Sequence, residues 1–203
     1  TAPTIASVRA AAKAALEMAK AASAVSKKPV TLADEPPAID RWQTPVQIDP
    51  FTVPEQDKFA LLFAIDEELR RAPEIRVATT GMRFERTRQR FITSAGADID
   101  KEIVRSGAGF SATAVGHGDV QTRSFPNSFG GQFIAGGYEL VKALDLASRA
   151  APVRDQAVEL LTAKLCPSGK TDLILGGAQL GLQIHESVGH PLELDRVMGL
   201  EAN

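Results

Sequence analysis

Two of the three histidines of this 203-residue chain lie in one six-residue stretch, which begins with His185-Glu186 and ends at His190. Histidine is the commonest nitrogen ligand of protein-bound zinc, and a neighbouring glutamate can act as a general base on a metal-activated water. These residue types therefore indicate metal-assisted hydrolysis, with His185 and His190 as metal ligands and Glu186 as the catalytic base. The alternative is that both histidines are ordinary capped, paired or solvated residues.

The spacing of the two histidines differs from that of the short zinc motif, whose histidines are four residues apart on a helix. A separation of five residues corresponds to about 140° around an ideal α-helix, so the two rings would diverge. Gly189 relaxes the backbone before His190, and Pro191 disfavours α geometry at His190. The sequence therefore predicts a π-helical bulge or a break between Val188 and His190, which would bring both rings to one side.

The elements around the motif predict a rigid support for it. Residues 171–176 are typical of a short buried strand, Gly176-Gly177 of a turn, and residues 178–190 of a helix. A strand-turn-helix unit would hold the histidines as firmly as a metal site requires. Beyond it, Glu193 or Asp195 could orient a histidine through its free ring nitrogen, or both could belong to a solvated acidic turn.

The run LGLQIHESVGHPLELD, residues 180–195, resembles the HExxxH signature of the TldD/PmbA family of zinc metallopeptidases, which are also labelled modulators of DNA gyrase. The resemblance implies that His185 and His190 bind zinc and that Glu186 is catalytic. It also implies a third zinc ligand, a cysteine in a second, largely β domain beyond Asn203. Homodimers, or heterodimers with a related subunit whose motif is degenerate, are implied as well.

Two upstream stretches extend the resemblance over most of the chain. They are residues 49–54, DPFTVP, and residues 136–139, GGYE, and each precedes a predicted helix. The sequence departs from the family at Pro191 and Leu194, where glycine is common. We expect these changes to affect the C-terminal end of the motif helix or the rim of the active-site cleft. The three chemical residues are intact. The resemblance also implies that the chain is a piece that stops soon after the motif.

The single cysteine, Cys166, is a candidate for the third ligand because a thiolate binds zinc well. It precedes the strand that leads to the motif and would lie near the end of that strand opposite the histidines, so we do not assign it as a ligand. One cysteine excludes an intramolecular disulfide and is compatible with a reducing compartment. We therefore expect a cytoplasmic protein.

Charge and hydropathy argue against two classes of partner. The net charge of −2 and the pI near 5.9 give no basic patch for direct nucleic-acid binding. No apolar run approaches the roughly 18 residues that a membrane-spanning helix needs. The arginines at positions 83, 86, 88 and 90 alternate along a predicted strand with Glu85 among them, so we assign them to a solvated sheet face.

The predicted fold class is α+β, an antiparallel β-meander packed with helices and followed by the strand-turn-helix that carries the motif. Residues 1–170 would form an N-terminal α+β domain, and residues 171–203 the start of a second, catalytic domain that is truncated. The meander comprises short strands between residues 75 and 115, with turns at residues 94–98 and 116–119. His117 lies in the second turn and is expected to be exposed.

The other predicted elements follow from periodicity and proline positions. A surface helix covers residues 10–24, a proline-rich connector residues 27–54, and a Gly-rich loop residues 125–137. Trp42 would pin the connector to a surface. A helix after Pro54 extends to about Arg71 with Phe59, Leu62, Phe63, Ile65 and Leu69 facing inward and Glu67, Glu68, Arg70 and Arg71 facing solvent. Two further helices are predicted over residues 138–149 and 152–165, the second beginning at Pro152.

The sequence thus predicts a zinc-dependent metallopeptidase that hydrolyses short or unfolded peptides, although the 203 residues alone would be nearly inactive with two ligands. The competing hypothesis is a non-catalytic subunit that binds peptides or assembles with a related subunit. The intact His-Glu-His set favours the enzyme.

Overall fold

The computed structural model describes residues 4–25, 36–128 and 130–201. Within these residues the chain forms a five-stranded sheet and six α-helices, which confirms the predicted α+β class. Residues 27–35 of the predicted proline-rich connector lie outside the described residues. No helix in the described ranges is long and apolar enough to cross a membrane.

Two long strands, β2 (Ile75–Ile92) and β3 (Asp98–Gly116), form an antiparallel hairpin. The turns on either side of β3 lie where they were predicted, and His117 is exposed in the second one. The prediction of five shorter strands between residues 75 and 115 was wrong. Gly81 and Gly109 face each other within a continuous register, so the backbone keeps its ladder partners where the sequence suggested breaks.

The opposite edge of β3 pairs with three short strands in succession. These are β1 (Ile39–Gln43), β5 (Gln132–Ala135) and β4 (Asp119–Phe125). β1 runs parallel to β3, so the sheet is a meander with an added parallel strand and not purely antiparallel. Both β1 and β5 had been assigned to irregular segments, because a short strand is stabilised by the partner edge and carries little signal of its own. Trp42, within β1, is half exposed.

A gap separates β1 from β5 along the edge of β3, and side-chain and backbone hydrogen bonds to β3 fill it. Thr44 Oγ1 accepts from Val104 N at 3.1 Å, and Gly136 N donates to Val104 O at 2.9 Å. Thr44 and Ser106 are buried, and Ser106 Oγ donates to Gly136 O at 2.9 Å. The buried backbone groups of β3 at this gap are therefore satisfied, as burial requires.

The hydrophobic core lies between one face of the sheet and two helices, α2 (Glu55–Leu69) and α4 (Leu146–Leu160). Burying one large aliphatic or phenylalanine side chain stabilises the fold by about 1.5–3 kcal/mol relative to leaving it exposed to water. The largest fully buried side chains of the core are Phe110, Ile65, Leu69 and Val141.

The predicted inward stripe of α2 was partly wrong. Ile65 and Leu69 are buried, but Phe59 and Phe63 are 53% and 69% exposed and stack on each other with ring centroids 6.1 Å apart. The buried face of the helix carries Leu61, Ile65 and Leu69 at intervals of four residues, and Phe59 and Phe63 lie on the opposite face, outside the core. Glu68, predicted to face solvent, is half-buried and binds Arg154 at 2.6 Å.

The boundary between the two helices after the Gly-rich loop also differs from the prediction. α3 (Glu139–Ala143) ends early, and α4 begins after Asp145, whose φ of 48° breaks the helix. Ser148 Oγ donates to Asp145 O at 3.0 Å in the first turn of α4. Pro152 therefore lies inside α4 instead of at its start. Ala150 and Val153 beside it are buried, so packing keeps the helix continuous across the proline.

The second of the upstream stretches that extend the family resemblance, residues 136–139, is joined to Ile48, the residue just before the first stretch. Glu139 accepts hydrogen bonds from Ile48 N at 2.9 Å and Gly137 N at 2.7 Å, and Tyr138 N donates to Ile48 O at 2.8 Å. Burial raises the pKa of the Glu139 carboxyl, but the backbone donors outweigh burial and leave this pKa below its ordinary value. Glu139 therefore ties the start of α3 to the segment that precedes α2.

The arginines of β2 pair with carboxylates at the surface, but the prediction that they share one solvated face was wrong. Arg83 lies on the face opposite Arg86, Arg88 and Arg90, which continue the face of Met82 and Phe84 beyond the end of the core. Arg86 contacts Asp49 at 2.6 Å, Arg90 contacts Asp98 at 2.9 Å, and Arg88 contacts Glu102. The hydrogen bond from Arg90 lowers the pKa of the Asp98 carboxyl. The predicted N-terminal helix is α1 (Ile5–Val25), which is exposed along its whole length.

Candidate metal centre

The motif lies on a helix that changes its pitch at the first histidine. α5 (Gly177–Ile184) continues into a π-helical turn, His185–Gly189, and then a 3₁₀ turn, His190–Leu192. The π-helical turn confirms the bulge that the spacing predicts. A π-helix closes its hydrogen bonds between residues five apart, and His190 N accordingly donates to His185 O.

The strand predicted to precede this helix is absent. Residues 171–176 have no regular structure and are exposed, and Ile174 is 97% exposed. An apolar run of this kind forms a strand when a neighbouring strand supplies backbone partners. No described strand pairs with these residues, so the support expected for the motif helix is missing from the described part of the chain.

The π-helical turn brings the three predicted site residues together. The ring centroids of His185 and His190 are 4.5 Å apart, with the ring planes at 78°. One ligand atom from each of His185, Glu186 and His190 lies within 4.8 Å of the other two. Two nitrogen ligands of one tetrahedral zinc are about 3.4 Å apart, so small side-chain rotations would let both rings bind one ion. The donor set thus fits a zinc ion.

Glu186 lies beside the histidines without replacing either of them. Its Oε2 is 3.7 Å from His190 Nε2, and its side chain is exposed. A carboxylate at this distance can reach a water molecule held in front of the His190 ring, as a general base must.

Of the two acidic residues that could orient a histidine, Glu193 makes the contact. His190 Nδ1 and Glu193 Oε1 are 2.9 Å apart, whereas Asp195 Oδ1 accepts from Arg196 N at 2.9 Å. Arg196 also contacts the second oxygen of Glu193, with Nε 3.2 Å from Oε2. Arg196 was not among the sequence candidates, although its spacing of three residues from Glu193 on a helical segment is a signal for such a pair.

Cys166 is exposed and is not brought to the histidines. Among the described residues, the two groups of His, Cys, Asp and Glu side chains that converge closely enough to bind one ion do not include it. The first group is His185, Glu186 and His190, and the second is Glu193, Asp195 and Glu201. The second group is exposed and acidic, and two of its carboxylates pair with Arg196.

Comparisons with known proteins identify the family of the chain. The sequence pattern of the PmbA/TldA metallopeptidase central domain matches residues 48–165, more than half of the chain. A metalloprotease of Methanocaldococcus jannaschii is 31% identical over 192 residues, covering 91% of this chain and 39% of the relative. A metalloprotease of Archaeoglobus fulgidus is 28% identical over 159 residues, covering 78% of this chain and 35% of the relative. The chain thus spans less than two-fifths of the length of either relative, and it belongs to the PmbA/TldD family of metallopeptidases.

Proposed function

We propose that the full-length protein is a zinc-dependent peptidase that hydrolyses short or unfolded peptides, with Glu186 as its general base. The observation that carries this proposal is the convergence of His185, Glu186 and His190 through the π-helical turn. A regular α-helix would separate the two rings, so a backbone that departs from it where the rings meet supports a shared ligand.

In the proposed reaction, His185 and His190 would hold the ion through one ring nitrogen each. A bound zinc ion supplies Lewis acidity, which lowers the pKa of water and polarises the peptide carbonyl. Glu186 takes the proton from the attacking water and passes it to the nitrogen of the leaving amine. A catalytic zinc generally has three protein ligands and one open position, so we propose a third ligand outside these residues, the cysteine that the resemblance implies.

The preference for unfolded substrates is supported by the sheet. The 18-residue strand β2 pairs with β3 on one side only, and no described strand pairs with its outer edge. An extended peptide can add to such an edge through main-chain hydrogen bonds, which place little restriction on its side chains. A stably folded domain exposes very little unpaired backbone that could add in this way.

We also propose that the chain divides near residue 170, with a catalytic domain beginning at residue 171. The family match ends at residue 165, and no residue from 162 to 201 is buried, which supports a boundary in this region. A homodimer, or a heterodimer with a related subunit, and a cytoplasmic location remain part of the proposal on the resemblance and on the single cysteine.

The proposal is tested in the full-length protein with Glu186→Gln, His185→Ala and the neighbouring control Asp195→Asn. Glu186→Gln should retain zinc and lower the peptidase rate by about 10²- to 10⁴-fold, because it removes the base but not a ligand. His185→Ala should lose zinc and activity together, and Asp195→Asn should change neither appreciably.

Zinc content by atomic spectroscopy and cleavage of an unstructured peptide are the two measurements. Near-full activity of Glu186→Gln would show that the assigned base is wrong. If the wild type binds no zinc and cleaves no unfolded peptide with related subunits present, the non-catalytic binding or assembly subunit becomes the better description.

A further inference from the structure

We propose that Glu193 is a positioning residue of the metal centre, which fixes the tautomer and the rotation of the His190 ring, and that Arg196 holds Glu193 in place. The identity of the ion rests on the proposed function. The hydrogen bond between Glu193 and His190 is an independent feature of the chain, and it can be tested without any metal.

The contact determines which ring nitrogen of His190 can bind a metal. Glu193 Oε1 is 2.9 Å from His190 Nδ1. An ionised carboxylate can only accept a hydrogen bond, so it favours the tautomer in which Nδ1 carries the proton. The lone pair then lies on Nε2, the ring nitrogen that faces Glu186 at 3.7 Å. A metal-binding histidine commonly donates its other ring N–H to a carboxylate in this way.

The backbone around Glu193 directs its side chain back to the ring. Glu193 lies between the 3₁₀ turn and α6 (Leu194–Val197) with φ −60° and ψ 132°, an extended conformation between two helical segments. Its N–H donates to His190 O at 3.1 Å, and its carbonyl accepts from Val197 N at 2.9 Å. Both sides of the residue are thereby fixed to the neighbouring turns, which limits the positions available to the carboxylate.

Arg196 forms an ion pair with the second oxygen of the Glu193 carboxylate. Its Nε is buried and lies 3.2 Å from Glu193 Oε2 and 3.9 Å from Glu201 Oε2, within ion-pair distance but without a hydrogen bond to either oxygen. Every residue between 162 and 201 is exposed except His190 and Arg196, which are half-buried. The two shielded side chains of this segment are therefore the two that contact Glu193.

Glu193 could instead serve only to stabilise the turn, and a spectroscopic test separates this role from positioning. We would label the metal-free, full-length protein with ¹⁵N-histidine and read the ring tautomers from nitrogen chemical shifts in alkaline buffer, where imidazoles are neutral. His190→Gln identifies the relevant signals.

The wild type should show His190 with its proton on Nδ1, and Glu193→Ala should shift it mainly to the Nε2–H form. Glu193→Gln, which keeps an acceptor oxygen at the same position, should largely preserve the wild-type tautomer. The matched control Asp195→Asn removes an equal charge two residues away and should have no effect. Loss of a turn alone would unfold residues 190–197 without this pattern of rescue.

Zinc affinity, measured by competition with a chelator, gives the second readout. Glu193→Ala should weaken binding by about 10- to 100-fold, with Asp195→Asn within about twofold of the wild type. If zinc binds but the tautomer does not depend on Glu193, the positioning role is wrong and the proposed function stands. If the tautomer depends on Glu193 but the wild type binds no zinc, the positioning role stands and the proposed metal centre is wrong. A wild-type His190 in the Nε2–H form overturns the inference directly.

Discussion

Gly137 and Gly189 differ in whether the structure leaves room for a side chain at their positions. A Cβ on Gly137 would lie 2.3 Å from Ile48 O and 2.4 Å from Glu139 Oε2, so no other residue fits without moving backbone. Gly189 has helical dihedral angles, φ −60° and ψ −58°, and a Cβ there would meet only His185 Nδ1 at 3.9 Å. Gly189 therefore adopts no conformation that requires glycine. The expectation that Pro191 disfavours α geometry at His190 was wrong, because His190 is also helical, with φ −63° and ψ −45°.

A pair of substitutions tests this difference. Gly137→Ala should lower the free energy of unfolding by about 2–4 kcal/mol, since the Cβ overlaps backbone. Gly189→Ala should leave stability within about 0.5 kcal/mol and zinc affinity within about threefold. Urea denaturation and chelator competition measure the two quantities. A large loss of zinc affinity in Gly189→Ala would mean that the π-helical turn needs glycine after all.

At the scale of elements, Glu139 is the most consequential polar contact because it joins two segments that are distant in the chain. Its pKa is below the ordinary value in the folded state, so its contribution to stability is present above the unfolded-state pKa and is lost as the pH falls through the folded-state pKa. At neutral pH the full contribution is present.

We therefore expect Glu139→Gln to lower the free energy of unfolding by about 1–2 kcal/mol at pH 7. The difference from the wild type should shrink as the pH falls from about 5 to 3, where the wild-type carboxyl becomes protonated. Urea titrations across this range provide the measurement. Glu67→Gln, on the exposed face of α2, is the control and should show neither effect. A pH-independent difference would assign the loss to packing instead of charge.

The elements also show which parts of the fold could be predicted from the sequence. Strong periodicity and turn residues were sufficient for α1, for α2 and for both turns around β3, because each carries its signal locally. β1 and β5 could not be predicted, since β1 pairs with residues 59 positions away and β5 with residues 24 to 30 positions away. The prediction of a strand at residues 171–176 was wrong for a different reason. An apolar run indicates burial, but it does not indicate which neighbouring element buries it.

The candidate site was more predictable than its surroundings. The identity and spacing of His185 and His190 were enough to predict the π-helical turn, which is a property of a few consecutive residues. The sequence could not show which of Glu193 and Asp195 contacts the His190 ring, because the contact depends on the extended conformation of Glu193.

At the scale of the whole molecule, the open edge of β2 leads to a prediction about substrates. The full-length protein should cleave a destabilised variant of a model substrate at least about tenfold faster than the same protein in its stable form, because an unfolded chain exposes unpaired backbone along its length and a stable domain exposes very little. Rates are compared at equal enzyme, with the Glu186→Gln protein as the control for contaminating proteases. Equal rates, with no local unfolding of the stable substrate detected by hydrogen exchange, would contradict this mode of recognition.

The pairing of β3 with all four other strands has a consequence for the order in which the sheet can form during synthesis. β1 and β2 leave the ribosome before β3 does, and neither has another described strand as its partner. Residues 98–102 are the first part of β3 to emerge, and they pair with the end of β2 as well as with β1, so β1 must remain without its ladder until then. Non-local pairings of this kind slow folding, because loop closure costs entropy before any contact compensates for it. The nascent chain therefore passes through a stage in which its first strand is exposed and dependent on a segment not yet made.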